Sequence, residues 1–389
     1  MGSMNNMLVD GGPDQEGPVV AQGGEGDAFA AVQQIVEEQL APLTVSIDLE
    51  GHYPGDVLRA LGQAGAYRHH LASQRPDGVC DLAGAVQAMA VVSRECLSTG
   101  FMMWCQDALA WYLETSDNEA LKAEMLPKVA SGEVLGGTAL SNPMKYFSGI
   151  EPLHLRAEQV EGGYIVNGTL PWVSNLGPDH YFGAICRVEG EAPREVMLLV
   201  PCASKGLDLK QLAHFTAMEG TGTFSCQFHD VFIPDGLLLA DPVQPYLARI
   251  KAGFILLQAG MALGLVEGCI GLMHDVEPLL GHVNCYLDDR PEELAEEAEE
   301  FKAAAAALAA DPYSSSPDYM QEVLEARLLG SELSLRAANA AMLHTGARGY
   351  LIDAPAQRKL REAYFVAIVT PAIKHLRKEL DMLTQAQMS

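Results

Sequence analysis

With 389 residues, the chain is long enough for one large domain or for two to three ordinary ones. Its formal net charge of −26 opposes binding to nucleic acid or anionic lipid, since no basic patch is large enough to overcome the repulsion. We identify no uncharged apolar run as long as a membrane span and no basic N-terminal region followed by an apolar core. We therefore expect a soluble, cytoplasmic protein that binds neither nucleic acid nor membrane.

The eight cysteines are scattered and form neither a CxxC pair nor a paired Cys/His spacing of the zinc type. We predict reduced, mostly buried thiols and no metal site.

The first 26 residues are rich in Gly, Pro and acidic residues and poor in apolar ones, which predicts a disordered lead. Over residues 27–132 apolar side chains recur at steps of three and four, which predicts an all-helical N-terminal domain. Asp81 and Asp117 precede two of these helical segments, and we expect both to act as helix caps.

Over residues 133–241 the apolar period changes to two, and short runs such as YFGAICRV and EVMLLV indicate a small β domain. The helical period returns over residues 242–389. It predicts four long helical segments, at roughly 245–282, 291–310, 317–346 and 356–384. The second of them is rich in Glu and Ala, which favours a solvated helix face over a binding tail.

Compact catalytic signatures are absent: the chain has no GxSxG, no Walker loop, no HExxH and no GxGxxG between a strand and a helix. More informative is GTALSNP at residues 137–143, followed by GGYIVNG and then by Trp172 and Ser174. Here an indole could lie against a flat ring system, while Ser141 and Ser174 offer hydrogen bonds to its polar edge. Alternatively, Trp172 is a core residue.

Four stretches in order, ALSNP, GGYIVNGTLPWVSN, FHDVFIPDGLLL and GARGYLIDAPAQRKLREAYF, resemble motifs of the acyl-CoA dehydrogenase superfamily. The first of them resembles the family's A-L-T-E-P segment, which implies the end of a strand there. The resemblance covers about residues 28–384. It implies an α+β fold, with an N-terminal helical domain, a central β-barrel or sheet domain and a C-terminal four-helix bundle.

The same resemblance implies a flavin between the β domain and the bundle, in a homotetramer or homodimer whose second subunit helps to hold the cofactor. By matching position, the flavin-lining residues would be Leu140, Ser141, Ser148, Trp172, Ser174 and Thr370. The family's R-x-x-F-G segment is not recognisable, and Arg290 or Arg348 could restore its cation. We expect FAD, with FMN as the alternative.

Members of the superfamily commonly use a glutamate to abstract the α-proton of an acyl thioester. In the resemblance, Gln357 stands at one location of this base and Phe254 at the other. An amide cannot accept that proton at ordinary pH, which leaves the common mechanism without its base.

Polar groups that could serve a catalytic pocket instead are Gln106, Asp107, Gln258, His344, Gln357 and His375. Each of them could equally be an ordinary interior or surface polar residue. Asp107 is the carboxylate of the set and thus the candidate for a relocated base. We expect Phe254 and Gln258 to contact the substrate.

Three hypotheses follow. The first is a flavin-dependent oxygenase or oxidase, which uses reduced flavin and O2 on a small molecule or acyl thioester and needs no strong carboxylate base. The second is an acyl-CoA dehydrogenase with a relocated base. The third is a non-enzymatic flavin-binding or scaffold relative that has lost catalysis. The sequence does not identify the substrate.

Overall fold

The computed structural model describes residues 25–190 and 192–388, and nearly all of the predicted lead lies outside them. Helices come first, a mixed sheet follows, and helices close the described chain. This order confirms the predicted α+β class, as do the solved structures compared below.

The N-terminal unit contains six α-helices. They are α1 (Glu25–Ile35), α2 (Thr44–Leu49), α3 (Gly55–Gln63), α4 (Leu82–Glu95), α5 (Leu97–Thr115) and α6 (Glu119–Ala130). α5 is buried along nearly its whole length, and its apolar side chains face neighbouring elements on every side. It is therefore the central helix of this unit.

The two predicted caps have different outcomes. The Asp81 carboxylate accepts a hydrogen bond of 2.8 Å from the Gly84 amide at the start of α4, so this prediction is confirmed. The prediction for Asp117 is wrong: the cap of α6 is Asn118, whose side chain accepts from the Leu121 amide. Asp117 instead pairs with Arg249.

Eight strands form one sheet. They are β1 (Gly136–Thr138), β2 (Leu155–Val160), β3 (Gly163–Val173), β4 (Tyr181–Val188), β5 (Arg194–Pro201), β6 (Leu207–Lys210), β7 (Phe224–Pro234) and β8 (Leu238–Ala240). Their order is β6-β7-β3-β2-β4-β5-β8, with β1 paired to β4. β1 and β2 both run parallel to β4, and the other pairs are antiparallel.

The end of β3 lies very close to β1. A Cβ on Gly137 would come within 2.1 Å of the carbonyl oxygen of Ser174, so only glycine fits there. Directly after β1 the chain forms a short helix, α7 (Ser141–Phe147), where the sequence pattern indicated only a strand end and a loop.

The C-terminal unit contains six helices. They are α8 (Val243–Leu256), α9 (Ala259–Asn284), α10 (Pro291–Ala309), α11 (Pro317–Thr345), α12 (Pro355–Ile368) and α13 (Ile373–Met388). The four predicted segments are all helical, but the first is interrupted at residues 257–258 and the last at residues 369–372. Pro371 explains the second interruption, because it disfavours helical geometry at the residue before it.

By length and composition, Val243–Asn284 could cross a membrane, with a mean hydropathy of 1.8 over its most apolar window. The uncharged run in this segment, residues 252–266, ends at Lys251 and Glu267 and is shorter than a membrane span, as predicted. In that window 72% of the residues are buried inside the protein, as expected for a core helix. α9 packs there against α4 and α11, which joins the N-terminal helices and the bundle in one hydrophobic core.

All eight cysteines are free, and six of them are buried, as predicted. Among the described residues no group of His, Cys, Asp and Glu side chains could hold a metal ion.

Candidate functional site

A cleft of about 240 Å³ opens between α7, α8 and the last helix, α13. Its lining is Leu140, Pro143, Met144, Phe147, Ser148, Gln244, Leu247, Ala248, Ile250, Lys251, Phe254 and Glu379. The α8 residues of this set follow helical spacing, at 244, 247, 248, 250, 251 and 254, so that one face of the helix forms a wall. The cleft contains three predicted residues: Leu140 and Ser148, expected at the cofactor, and Phe254, expected at the substrate.

α5 holds this wall in place. The indole nitrogens of Trp104 and Trp111 donate to the carbonyl oxygens of Phe254 and Ile250, at 3.3 and 3.2 Å. The Trp104 ring also meets the Phe254 ring edge-on, with 4.9 Å between their centroids. Phe254, predicted as a substrate contact, is thus fixed in the wall of the cleft.

Next to the cleft, a set of hydrogen bonds joins the β domain to the bundle; we call it the junction and define it as Ser141, Thr370 and Gln258. The hydroxyls of Ser141 and Thr370 lie 2.8 Å apart, and Gln258 donates its amide N–H to the Thr370 carbonyl oxygen at 2.9 Å. The structure therefore brings together three residues that the sequence analysis selected separately.

Arg327 stands behind the junction and was not selected from the sequence. Its guanidinium is buried and donates to Gln258 Oε1 at 2.6 Å, to the Val366 carbonyl at 2.7 Å and to Ser331. No ion pair of Arg327 is found in the described part of the chain. Burial lowers the pKa of Arg327 to about 10.

One end of the cleft is polar, and we call this group the polar cluster: Ser148, Lys251, His375 and Glu379. Glu379 accepts hydrogen bonds from Ser148 and from His375 Nε2, and its other oxygen lies 2.9 Å from Lys251 Nζ. Burial by itself would raise the pKa of Glu379. The hydrogen bond from His375 and the charge of Lys251 outweigh this effect and lower the pKa to about 2.

Ser148 was predicted to contact the cofactor, and the structure gives its side chain a different set of partners. Its hydroxyl lies 2.7 Å from His375 Nε2 and donates to Glu379, and its carbonyl accepts from Lys378. Ser148 therefore belongs to the polar cluster. The signal for Lys251 and Glu379 was weak in the sequence because cations and acids on helices are usually solvated.

Gln106 is a structural residue and not a catalytic one. Its amide donates to the carbonyl oxygens of Val129 and Val134, at 2.9 and 2.8 Å, and accepts from the Gly136 amide at 2.9 Å. All of these bonds lie inside the protein, where they fix the connection from α6 to β1.

Asp107 does not reach the cleft either. It is fully buried on α5, and its closest ionisable neighbour is His70, whose Nδ1 lies 4.0 Å from Asp107 Oδ1. Within the described residues neither carboxyl oxygen has a hydrogen-bond partner, and burial raises its pKa well above the ordinary range. A neutral carboxylic acid in the core is not available as a base in the cleft.

His344 and Gln357 also lie outside the lining of the cleft, and both contact other segments of the bundle. His344 Nε2 lies 2.8 Å from the Asp289 carbonyl, at the ends of two bundle helices. Gln357 donates to the Ile352 carbonyl and accepts from Arg361 Nε at 2.7 Å. Both side chains join segments of the bundle, and neither lines the cleft.

Trp172 and Ser174 lie at the end of β3. The Trp172 side chain is 63% exposed, so the alternative that it is a core residue is wrong. The Ser174 hydroxyl is bonded to Thr223 at 2.7 Å. An exposed indole at the end of a strand is free to stack on a ligand ring.

Arg290 and Arg348, the two arginines that could supply the cation, differ in their contacts. Arg290 contacts Glu277 at 3.4 Å and caps α10. Arg348 is exposed after α11 and forms no ion pair with any residue that the structure describes. Arg348 is therefore the better candidate for a cation that binds a phosphate.

Comparison with known proteins relates this chain to acyl-CoA dehydrogenases. Residues 27–133 match the family model described as the N-terminal domain of acyl-CoA dehydrogenases. The rice isovaleryl-CoA dehydrogenase is 25% identical over 62% of this chain and 60% of its own length. The human short-chain specific acyl-CoA dehydrogenase is 23% identical over 86% of this chain and 84% of its own.

Solved structures share the fold along nearly the whole chain. Butyryl-CoA dehydrogenase from Megasphaera elsdenii matches with a TM-score of 0.81 at 16% identity, covering 97% of this chain and 100% of that one. A dibenzothiophene monooxygenase from Paenibacillus gives 0.77 at 15%, covering 91% and 96%. A glutaryl-CoA dehydrogenase from Mycobacterium smegmatis, in complex with FADH2, gives 0.72 at 17%, covering 94% and 96%.

The N-terminal helices are thus those of an acyl-CoA dehydrogenase N-terminal domain. Over most of its length the chain is similar in sequence to acyl-CoA dehydrogenases, and it shares the fold of their solved structures.

Proposed function

We propose that the protein is a flavin-dependent oxygenase or oxidase that binds FAD where the β domain meets the bundle and holds its substrate in the cleft. The proposal for FAD is supported by the fold, which is shared with a glutaryl-CoA dehydrogenase in complex with FADH2. When bound, the flavin supplies two-electron chemistry and, in its reduced form, reactivity toward O2.

The residues present fit such a cofactor. The exposed Trp172 indole would stack on a flat ring, and the paired hydroxyls of Ser141 and Thr370 would bond to its polar edge. Arg348, exposed and without an ion pair among the described residues, would bind a phosphate of FAD. Leu140 links the two sites, because it lines the cleft and precedes Ser141.

One observation favours oxygenation over desaturation of an acyl thioester. Glu379 is the carboxylate among the residues that line the cleft, and its pKa is lowered to about 2. A general base works best when its pKa lies near the operating pH, so Glu379 is a poor acceptor for a carbon-bound proton. The fold is compatible with this choice, since it is shared with a dibenzothiophene monooxygenase.

A dehydrogenase with a relocated base is the second candidate function. It is favoured by the curated relatives, which are named acyl-CoA dehydrogenases. However, Asp107, the candidate for the relocated base, is buried away from the cleft and does not reach a substrate there.

Anaerobic titration separates the two functions. The purified protein is loaded with FAD, and butyryl-CoA and octanoyl-CoA are added without oxygen while the flavin absorbance is followed. We expect a yellow protein whose absorbance is not bleached by either thioester. Bleaching would establish a dehydrogenase, and a protein that takes up no flavin would establish the third hypothesis, a relative without this catalysis.

A further inference from the structure

The cleft has an apolar wall and a polar end that contains the ammonium group of Lys251, which restricts the molecule that it can hold. We propose that its substrate is an elongated apolar molecule with a carboxylate, and that Lys251 binds that carboxylate. This inference rests on the proposed function only in naming the molecule as the substrate of the flavin reaction.

The apolar part of the lining is large for so small a cleft. Met144 and Phe147 face it from α7, and Leu247, Ile250 and Phe254 face it from α8. A volume of about 240 Å³ accommodates a short alkyl chain, and each buried methylene adds favourable transfer free energy. This wall alone would bind any apolar chain, whatever its end group.

The ammonium group of Lys251 selects a ligand whose end is negatively charged. Its Nζ uses one N–H on Glu379 at 2.9 Å, and an ammonium group has three donors. The side chain lines the cleft and is 35% exposed, so two donors remain for a ligand. A carboxylate that accepts from an ammonium forms one of the stronger hydrogen bonds in proteins.

Glu379 does not compete for the ligand, because its acceptor sites are already in use. Ser148 and His375 donate to one oxygen and Lys251 to the other, so the carboxylate holds Lys251 in position. A second ammonium, that of Lys378, lies 2.6 Å from the carbonyl oxygen of Ser148. Lys378 therefore adds a second positive charge close to this end of the cleft, in a chain with a net charge of −26.

The test uses amphiphiles of equal length and different charge. Octanoate, octan-1-ol and octylammonium are titrated into the protein as purified, and the heat of binding is measured. A charge-assisted hydrogen bond implies that octanoate binds about tenfold more tightly than octan-1-ol, with octylammonium weakest. Equal affinity for octanoate and octan-1-ol, a preference for octylammonium, or no measurable binding of octanoate would overturn the proposal.

Variants test whether Lys251 causes the preference for octanoate over octan-1-ol. Lys251→Met is expected to bind octanoate and octan-1-ol with equal affinity, with the affinity for octan-1-ol within twofold of the unchanged protein's. Lys251→Arg is expected to retain the tighter binding of octanoate. Lys374→Met is the matched control, since it removes the same charge from an exposed position on α13 outside the lining. A loss in the Lys374 variant equal to that in Lys251→Met would contradict a direct contact.

Free coenzyme A tests the other source of negative charge, a phosphate. If coenzyme A binds through Lys251 and octanoate does not, the carboxylate proposal is wrong. The heat of binding requires no flavin, so the outcome is independent of the proposed function. If the protein takes up no FAD but still binds octanoate more tightly than octan-1-ol, this inference holds and the proposed flavin enzyme is wrong.

Discussion

At Glu379, neighbouring groups lower the carboxyl pKa by more than burial raises it. Its three partners come from three places in the fold: Ser148 after α7, Lys251 on α8 and His375 on its own helix. The pKa of about 2 in the native protein lies below the ordinary value of 4.5. A carboxyl with a lowered pKa stabilises the native state above its ordinary pKa, and this stabilisation is lost as pH falls toward the native value.

We therefore expect Glu379→Gln to reduce stability at neutral pH and to have a smaller effect in acid. The measurement is urea unfolding of both proteins between about pH 5 and pH 2, the window set by the two pKa values. The difference in the free energy of unfolding should shrink across this range. Glu332→Gln is the control, because Glu332 pairs with Arg377 on the surface. A pH-independent difference for Glu379 would contradict the low pKa.

Sequence reasoning found polar residues of the right kinds but could not assign their partners. Gln106 and Gln258 are both buried glutamines, yet one fixes a chain connection and the other lies at the junction. Their partners, backbone groups and the Arg327 side chain, lie far away in the sequence, and no local pattern encodes them. Arg327 was missed for a related reason, since a buried guanidinium without a carboxylate is rare.

At the level of elements, one face of α8 provides the wall of the cleft, and this gives a direct way to install a base. Phe254→Glu would place a carboxylate among apolar side chains, where burial raises its pKa toward the operating range. We expect this variant to gain slow anaerobic bleaching by octanoyl-CoA. Gln357→Glu should gain none, because that side chain contacts Ile352 and Arg361 instead.

Phe254→Gln is the matched control for this prediction, since it changes the cleft in nearly the same way without adding a base. Bleaching by the Gln357→Glu variant alone would show that the reacting atoms lie near Gln357, as the motif comparison implied, and not in the cleft.

The regular elements were largely predictable because their apolar periods are strong, as for the strand at 181–188. The breaks between elements were not. α7 begins within a segment whose motif suggested a strand end, and α8 and α9 separate inside one continuous apolar stretch. The cleft depends on both features, so its composition could not be derived from periodicity.

In the whole molecule, several large apolar side chains remain exposed on one part of the bundle. They are Leu343, Tyr350, Leu351, Ile352, Tyr364 and Ile368, on α11, α12 and the turn between them. Apolar side chains exposed in such numbers are typical of an interaction surface. The expected homotetramer or homodimer would bury them, and we propose this surface as its interface.

Ile368→Glu is expected to shift the protein toward smaller species in light scattering coupled to gel filtration, because it places a charge on this surface. Leu212→Glu is the control, since Leu212 is equally exposed, at 68%, but lies in the β domain. A wild-type protein that is monomeric at all concentrations would contradict the assembly.

The reaction of the reduced enzyme with O2 tests the central claim most directly. The FAD-loaded protein is photoreduced without air and mixed with aerated buffer in a stopped-flow instrument, and flavin reoxidation is followed. An oxygenase or oxidase should be reoxidised on the order of ten times per second, a typical enzymatic turnover rate. Reoxidation over many minutes, together with bleaching of the oxidised flavin by an acyl-CoA, would contradict the account and establish a dehydrogenase.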